Sequence, residues 1–254
     1  MAAHFPVVLV CGARQVGKTT LLKRIAENKG NIQYVTLDYL RIRQLAQEDP
    51  ELFLQQYSAP LIIDEIQYAP ELLPYIKILA DEKGSNGMYY LTGSQMFHMM
   101  SNVSESLAGR VGILSMYSLS RAEIEGRENI PFNPSAVKDI KSQDTITEIF
   151  DKILKGSMPR VISDSELLYE DYYGSYIQTY IERDIRDLIN IKDENKFIKF
   201  ISCVAARTSQ EVNLADIAKD VGIDGKTADS WLSILVSSGI VVLLRPYSGN
   251  TIKR

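Results

Sequence analysis

Gly12-Ala13-Arg14-Gln15-Val16-Gly17-Lys18-Thr19 fits the pattern G-x-x-x-x-G-K-[ST] and follows directly on the apolar run Phe5-Pro6-Val7-Val8-Leu9-Val10-Cys11. A strand that delivers a glycine-rich turn into a helix is the geometry that wraps backbone N–H groups around a phosphate, with the positive end of the helix dipole behind it. Gly12 and Gly17 permit the close approach and backbone angles that a side chain blocks. Lys18 is expected to reach the β- and γ-phosphates, Thr19 to ligate Mg²⁺, and Thr20 to reach the α-phosphate. Leu21, Leu22, Ile25 and Ala26 then repeat at helical spacing, and Gly30 stands where that helix would end. A phosphate-binding loop between strand and helix is the simplest account; a glycine-containing turn with no ligand is the competing one.

The first 118 residues alternate short apolar runs with helical patterns, which predicts β-α units and a parallel sheet. Strands are expected over Pro6–Cys11, Gln33–Asp38, Leu61–Asp64, Met88–Thr92 and Gly112–Tyr117. Helices are expected over Lys18–Asn28, Arg41–Gln47, Glu51–Tyr57, Glu71–Glu82 and Ser104–Ala108. This is the α/β architecture of a P-loop NTPase, a three-layer sandwich around a parallel sheet. From 119 to 195 helical periodicity takes over, with stripes at Ile146, Ile149, Phe150, Ile153, Leu154 and at Tyr176, Ile177, Tyr180, Ile181, Ile185, Leu188; a helical lid or connector is expected. Residues 196–254 read as a helix, a helix-turn-helix with Asn213 as an N-cap, and a strand over Ile240–Leu244, that is, a winged helix.

Leu61-Ile62-Ile63-Asp64-Glu65 ends a buried strand in two carboxylates. At that distance after a P-loop, Asp64 is expected to hold Mg²⁺ opposite Thr19 and Glu65 to orient and deprotonate the attacking water. The competing account is two charges capping a strand. Glu65 favours hydrolysis over transfer to a substrate hydroxyl. Met88–Gln95 is a strand finishing in small polar residues beside the P-loop strand, so Ser94, or else Thr92 or Gln95, can sense the γ-phosphate or hold the water. Arg110, between a helix and the next strand, is the candidate for stabilising transition-state charge, in cis or from a neighbouring subunit; a structural role is the alternative. Arg14 either touches phosphate or points outward.

Composition excludes other classes. Apolar residues at 45% and charged residues at 24% are ordinary for a globular chain, so neither disorder nor a membrane protein is favoured. The apolar stretch Ile234–Leu244 is too short to span a bilayer and the N-terminus has no cleavable signal, which makes a cytoplasmic location the expectation. Cys11, Cys203, His4 and His98 offer neither a disulfide framework nor zinc spacing. Lys and Arg against Asp and Glu number 20 and 27 over residues 1–195 but 8 and 5 over 196–254, giving −7 and +3. That excess is small, and the third helix of the last segment has only Lys226 beside Asp224 and Asp229, so DNA contact is weakly supported and a protein-interaction role fits better.

The runs Val7–Leu22, Ile62-Ile63-Asp64-Glu65-Ile66-Gln67, Leu91–Gln95, Leu107-Ala108-Gly109-Arg110, Tyr180–Ile185 and Ala205-Ala206-Arg207-Thr208 resemble prokaryotic AAA-superfamily ATPases. The branch is the one carrying a winged helix and a restriction-endonuclease-like domain of unknown function after the ATPase core. The resemblance implies ATP rather than GTP, with Mg²⁺, and a nucleotide-driven switch on the lid and winged helix. An ATP-liganded DNA-binding regulator or interaction module without significant hydrolysis is the alternative. Members continue past the wing, whereas this chain stops at Ile252-Lys253-Arg254, so a truncated protein lacking the nuclease-like domain is expected.

Overall fold

Five short strands rich in β-branched and aromatic residues assemble into one parallel sheet: β1 (Val7–Gly12), β2 (Gln33–Thr36), β3 (Leu61–Asp64), β4 (Tyr89–Gly93) and β5 (Val111–Met116). This is a computed structural model, and it describes residues 1–93, 106–128, 133, 144–180 and 193–245. The strand order is β2-β3-β4-β1-β5. Every pairing is parallel, and the registers Val7↔Tyr89, Leu61↔Tyr89 and Val7↔Val111 bring β1, β3, β4 and β5 to the same level at one edge. A parallel sheet needs cover on both faces. One face receives α1 (Lys18–Lys29), where Leu22, Ile25 and Ala26 pack on Val8, Val10, Ile62 and Tyr90. The other receives α2 (Leu40–Glu48), α3 (Pro50–Gln56) and α4 (Leu72–Lys83), whose Ala46, Phe53, Leu54, Leu72 and Ile76 meet Val7, Leu9, Leu61, Ile63, Tyr89 and Leu91. The α/β three-layer arrangement read from the sequence is therefore the observed one.

The strand ends differ from expectation by one or two residues, the ordinary fraying of element boundaries. Of the helix expected over Ser104–Ala108, residues 104 and 105 lie outside the described residues. Leu107 is fully buried in the sheet core, and the chain there is already turning toward β5.

Gly12 closes β1 with φ +147, and a Cβ built there would stand 2.0 Å from the Met116 carbonyl oxygen of β5. Two backbones meet where no side chain fits, which fixes the point at which the chain leaves the sheet for the loop. Gly12→Ala is expected to destabilise the fold by about 4 kcal/mol or more. Thermal unfolding should then show a midpoint lowered by roughly 10 °C, and an unchanged midpoint would contradict this packing.

The chain divides into two compact units, Met1–Glu182 and Arg183–Arg254. The first unit also holds α5 (Arg121–Ile124), α6 (Ile146–Lys155), α7 (Pro159–Ser163) and α8 (Tyr169–Tyr180). α5 and α6 each begin in a capping box, Ser120 with Glu123 and Thr145 with Glu148. The stripe on α6 forms as expected but stays open to solvent, with Ile146 75% and Ile153 66% exposed. Of the second stripe, Ile181, Ile185 and Leu188 lie outside the described residues.

The second unit packs α9 (Glu194–Ala205), α10 (Leu214–Val221) and α11 (Gly225–Ser237). Trp231 stands edge-on to Phe197 and Phe200, at ring-centroid distances of 5.0 and 5.4 Å, and Ile217, Val221 and Leu235 are buried with them. Asn213 does cap α10, its Oδ1 accepting from the Ala215 and Asp216 amides. The expected wing strand over Ile240–Leu244 is a correction, because residues 241–245 carry no ladder. The Ile240 and Val241 amides instead donate to the Leu235 carbonyl at 3.0 and 3.1 Å, folding the chain back on the end of α11.

Candidate active site

The C-terminal ends of β1, β3 and β4 converge on one edge of the sheet, and the polar residues of the two sequence motifs meet there. Past Gly12 the loop runs through Ala13, Arg14, Gln15 and Val16, with Gln15 at φ 62 and Gly17 at φ 99. Val16 is buried and anchors the loop, whereas Gln15 and Thr20 face outward. α1 starts at Lys18 with no side-chain cap, so its first amides are turned to the loop. The Lys18 ammonium folds into the loop's concavity and donates to the carbonyls of Gly12 at 3.0 Å and Ala13 at 2.7 Å. Burial pushes Lys18 below the usual lysine range, Glu65 and Asp64 oppose that shift, and Arg14 adds to it. A desolvated cation held by neutral carbonyls is well suited to exchange them for phosphate oxygens.

Asp64 is buried at the end of β3 and is the hub of the site. Thr19 Oγ1 donates to its Oδ1 at 3.1 Å and Oδ2 at 3.0 Å. Tyr34 Oη donates to Oδ2 at 2.7 Å, and Thr92 Oγ1 donates to Oδ1. Burial first, then the hydrogen bond to Asp64, raises Tyr34 well above the ordinary tyrosine range, so it is a neutral donor at physiological pH. The Lys23 ammonium lies 4.5 Å from its ring centroid. Glu65 leaves the strand at φ 60, a left-handed conformation uncommon for a side-chain-bearing residue, and its amide donates to Thr92 Oγ1 at 3.2 Å. The Gln67 Nε2 donates to the Glu65 carboxylate at 2.5 Å.

Two hard oxygen groups, the Thr19 hydroxyl and the Asp64 carboxylate, thus face each other within hydrogen-bonding distance beside the loop. That donor set fits Mg²⁺, which takes few protein ligands and completes its shell with phosphate and water. Among the described residues no three His, Cys, Asp or Glu side chains cluster to hold a metal by themselves.

Above the loop, α8 lays a row of tyrosines. Tyr172 Oη donates to Gln15 Oε1 at 2.9 Å, and Tyr176 Oη to the Arg14 carbonyl at 3.5 Å. Tyr173 closes over Gly156 and donates to the Lys155 carbonyl.

Lys18, Thr19, Asp64 and Glu65 are brought together as the motifs predict. Ser94 and Gln95 lie outside the described residues, and Thr92, the lesser candidate on that strand, is the one found in the network. Arg110 stands elsewhere. It precedes β5, and its neighbour Val111 pairs with Val7 at the edge opposite Gly12, about 17 Å along the strand. Its guanidinium is tied to Asp81 at 2.5 Å. Of the roles open to Arg110, contact with its own chain's loop does not occur in this structure: the parallel strand direction puts it at the other end of the sheet. A cavity of about 490 Å³ lined by Leu54, Tyr75, Ile78 and Tyr89 belongs to that opposite edge too. Tyr34, Gln67 and Tyr172 were missed; only strand register and the fold of the distant helices reveal them.

A β1-loop-α1 unit with an acidic β3 end beside it is the layout of the P-loop NTPase fold. Residues 4–125 match the family model described as "AAA domain", and residues 146–254 match a "Domain of unknown function (DUF8612)". The first segment is thus similar to AAA domains. The chain is similar to uncharacterized proteins of Mycobacterium tuberculosis and Mycobacterium bovis, each 28% identical over 98% of this chain and 52% of the relative. The chain spans about half the length of the curated relatives it matches. Among solved structures it is similar to the RuvB Holliday junction branch migration motor of Thermotoga maritima, 21% identical over 92% of this chain and 80% of that one, at a TM-score of 0.40. No helix among the described residues is long and apolar enough to cross a membrane.

Proposed function

We propose that this chain binds Mg–ATP on the loop Gly12–Thr20 and hydrolyses it, the nucleotide state acting as a switch on α5–α8 and on the C-terminal helical unit. The observation that carries this is the convergence of Lys18, Thr19, Asp64 and Glu65 at one sheet edge. The loop amides and Lys18 bind the β- and γ-phosphates, while Thr19 and Asp64 hold the metal. Magnesium, when bound, neutralises charge on the phosphates. Glu65 accepts a proton from water as the water oxygen bonds to the γ-phosphorus. The bond from phosphorus to the ADP oxygen breaks, and the proton passes on to phosphate or solvent. The tyrosine contacts from α8 to Gln15 and Arg14 support the switch, because a loop that rearranges around phosphate alters groups that α8 holds. Arg110, far from its own loop, would have to exchange its pair with Asp81 to serve the site of a neighbouring subunit.

Phosphate release from ATP, followed on the full chain, is expected to depend on Mg²⁺ and to stop on chelation. Release that persists undiminished in excess chelator would remove Thr19 and Asp64 from the metal role.

A further inference from the structure

Asp64 ends β3 between two neighbouring strands, and each neighbour sends it one side-chain donor. Tyr34 of β2 stands two residues before Thr36, the register partner of Asp64, and its Oη donates to Asp64 Oδ2 at 2.7 Å. Thr92 of β4 follows Leu91, the partner of Ile63, and its Oγ1 donates to Asp64 Oδ1. Both donors are themselves held. Thr92 Oγ1 accepts from the Glu65 amide at 3.2 Å, and the Tyr34 ring packs on the cluster around Leu22, Ile62 and Tyr90 with the Lys23 ammonium 4.5 Å from its centroid. A carboxylate offers about four lone-pair directions, of which Tyr34 and Thr92 take one on each oxygen. Thr19 Oγ1 spans both oxygens at 3.1 and 3.0 Å with a single proton to share between them. That shared bond is weaker than either clamp, so it is the one that yields when a cation enters between Thr19 and Asp64.

We infer that Tyr34 is a positioning residue for the divalent cation: with its hydroxyl on Oδ2 and Thr92 on Oδ1, the Asp64 carboxylate is kept from rotating and its remaining lone pairs stay turned to Thr19. The inference rests on the proposed Mg–ATP site and adds what holds the Asp64 side of it. Tyr34 takes no metal bond of its own; it acts through Asp64. Partners that fix a ligating carboxylate in this way commonly weigh about 10- to 100-fold in metal affinity.

Calorimetric titration of ATP into the full chain, once in excess Mg²⁺ and once in excess chelator, gives the factor by which the metal tightens nucleotide binding. Tyr34→Phe keeps the ring, its packing and the Lys23 contact, and removes only the donor. Its metal-free affinity is expected within about twofold of wild type, while the Mg²⁺ factor falls about tenfold. The Mg²⁺ concentration at half-maximal turnover should rise by about tenfold as well. Lys23→Met leaves the hydroxyl in place and should keep the wild-type Mg²⁺ factor. An undiminished factor in Tyr34→Phe, an equal loss in Lys23→Met, or a metal-free affinity that falls as far as the metal-bound one would each overturn the inference. A wild-type chain whose affinity for ATP gains nothing from Mg²⁺ would instead refute the metal role of Thr19 and Asp64 beneath it.

Discussion

Replacing Glu65 with glutamine is expected to lower ATP turnover by a factor of about 100 to 1000 while leaving ATP affinity nearly unchanged. The substitution keeps the size and the left-handed backbone at φ 60, and it keeps an oxygen for Gln67 to donate to. It removes only the capacity to take a proton. The backbone of Glu65 is held by Thr92 and its side chain by Gln67, so the carboxylate is positioned before any substrate arrives. A preorganised base whose loss slows chemistry without weakening binding identifies an interaction used in the transition state. Steady-state turnover beside equilibrium binding separates the two quantities. A variant that hydrolyses at the wild-type rate would take Glu65 out of the mechanism.

Lys18→Met is expected to weaken nucleotide binding by about 100-fold, equivalent to ~2.7 kcal/mol. The ammonium is buried and bonded to two loop carbonyls, so it brings a desolvated charge to the place where phosphate oxygens would sit. Charge-assisted bonds to such oxygens are the strong ones. Burial disfavours the charged form of this lysine, a desolvation cost that opposes what its two carbonyl bonds contribute to the fold. Thermal unfolding of the variant should therefore stay close to wild type. Calorimetric titration with ATP checks the affinity, and an unchanged constant would refute the assignment of the loop.

The sheet was legible because its strands are continuous apolar runs such as Leu61-Ile62-Ile63, and because the P-loop glycines mark where β1 ends. The pairing of Asp64 with Thr19 was legible too, since both motifs place residues at strand or helix ends whose positions the fold class dictates. Arg110 shows the limit of such reasoning. Its spacing before a strand suggested a catalytic arginine, but strand direction decides which edge it occupies, and the parallel register puts it opposite the loop. Tyr34 lies on the same side of β2 as Thr36, and only its register with Ile62 on β3 aims it at Asp64. Gln15 meets Tyr172 across 157 positions of chain, a contact that no local pattern encodes. The strand over Ile240–Leu244 does not form among the described residues, where the Ile240 and Val241 amides turn back to the Leu235 carbonyl.

The most direct measurement is a calorimetric titration of Mg–ATP into the full chain, with GTP and Mg²⁺ alone as comparisons. Saturable binding of about one ATP per chain, weakened by Lys18→Met, is the expected result. A flat titration with every nucleoside triphosphate, on a chain shown to be folded, would contradict the phosphate cradle on which the site is built.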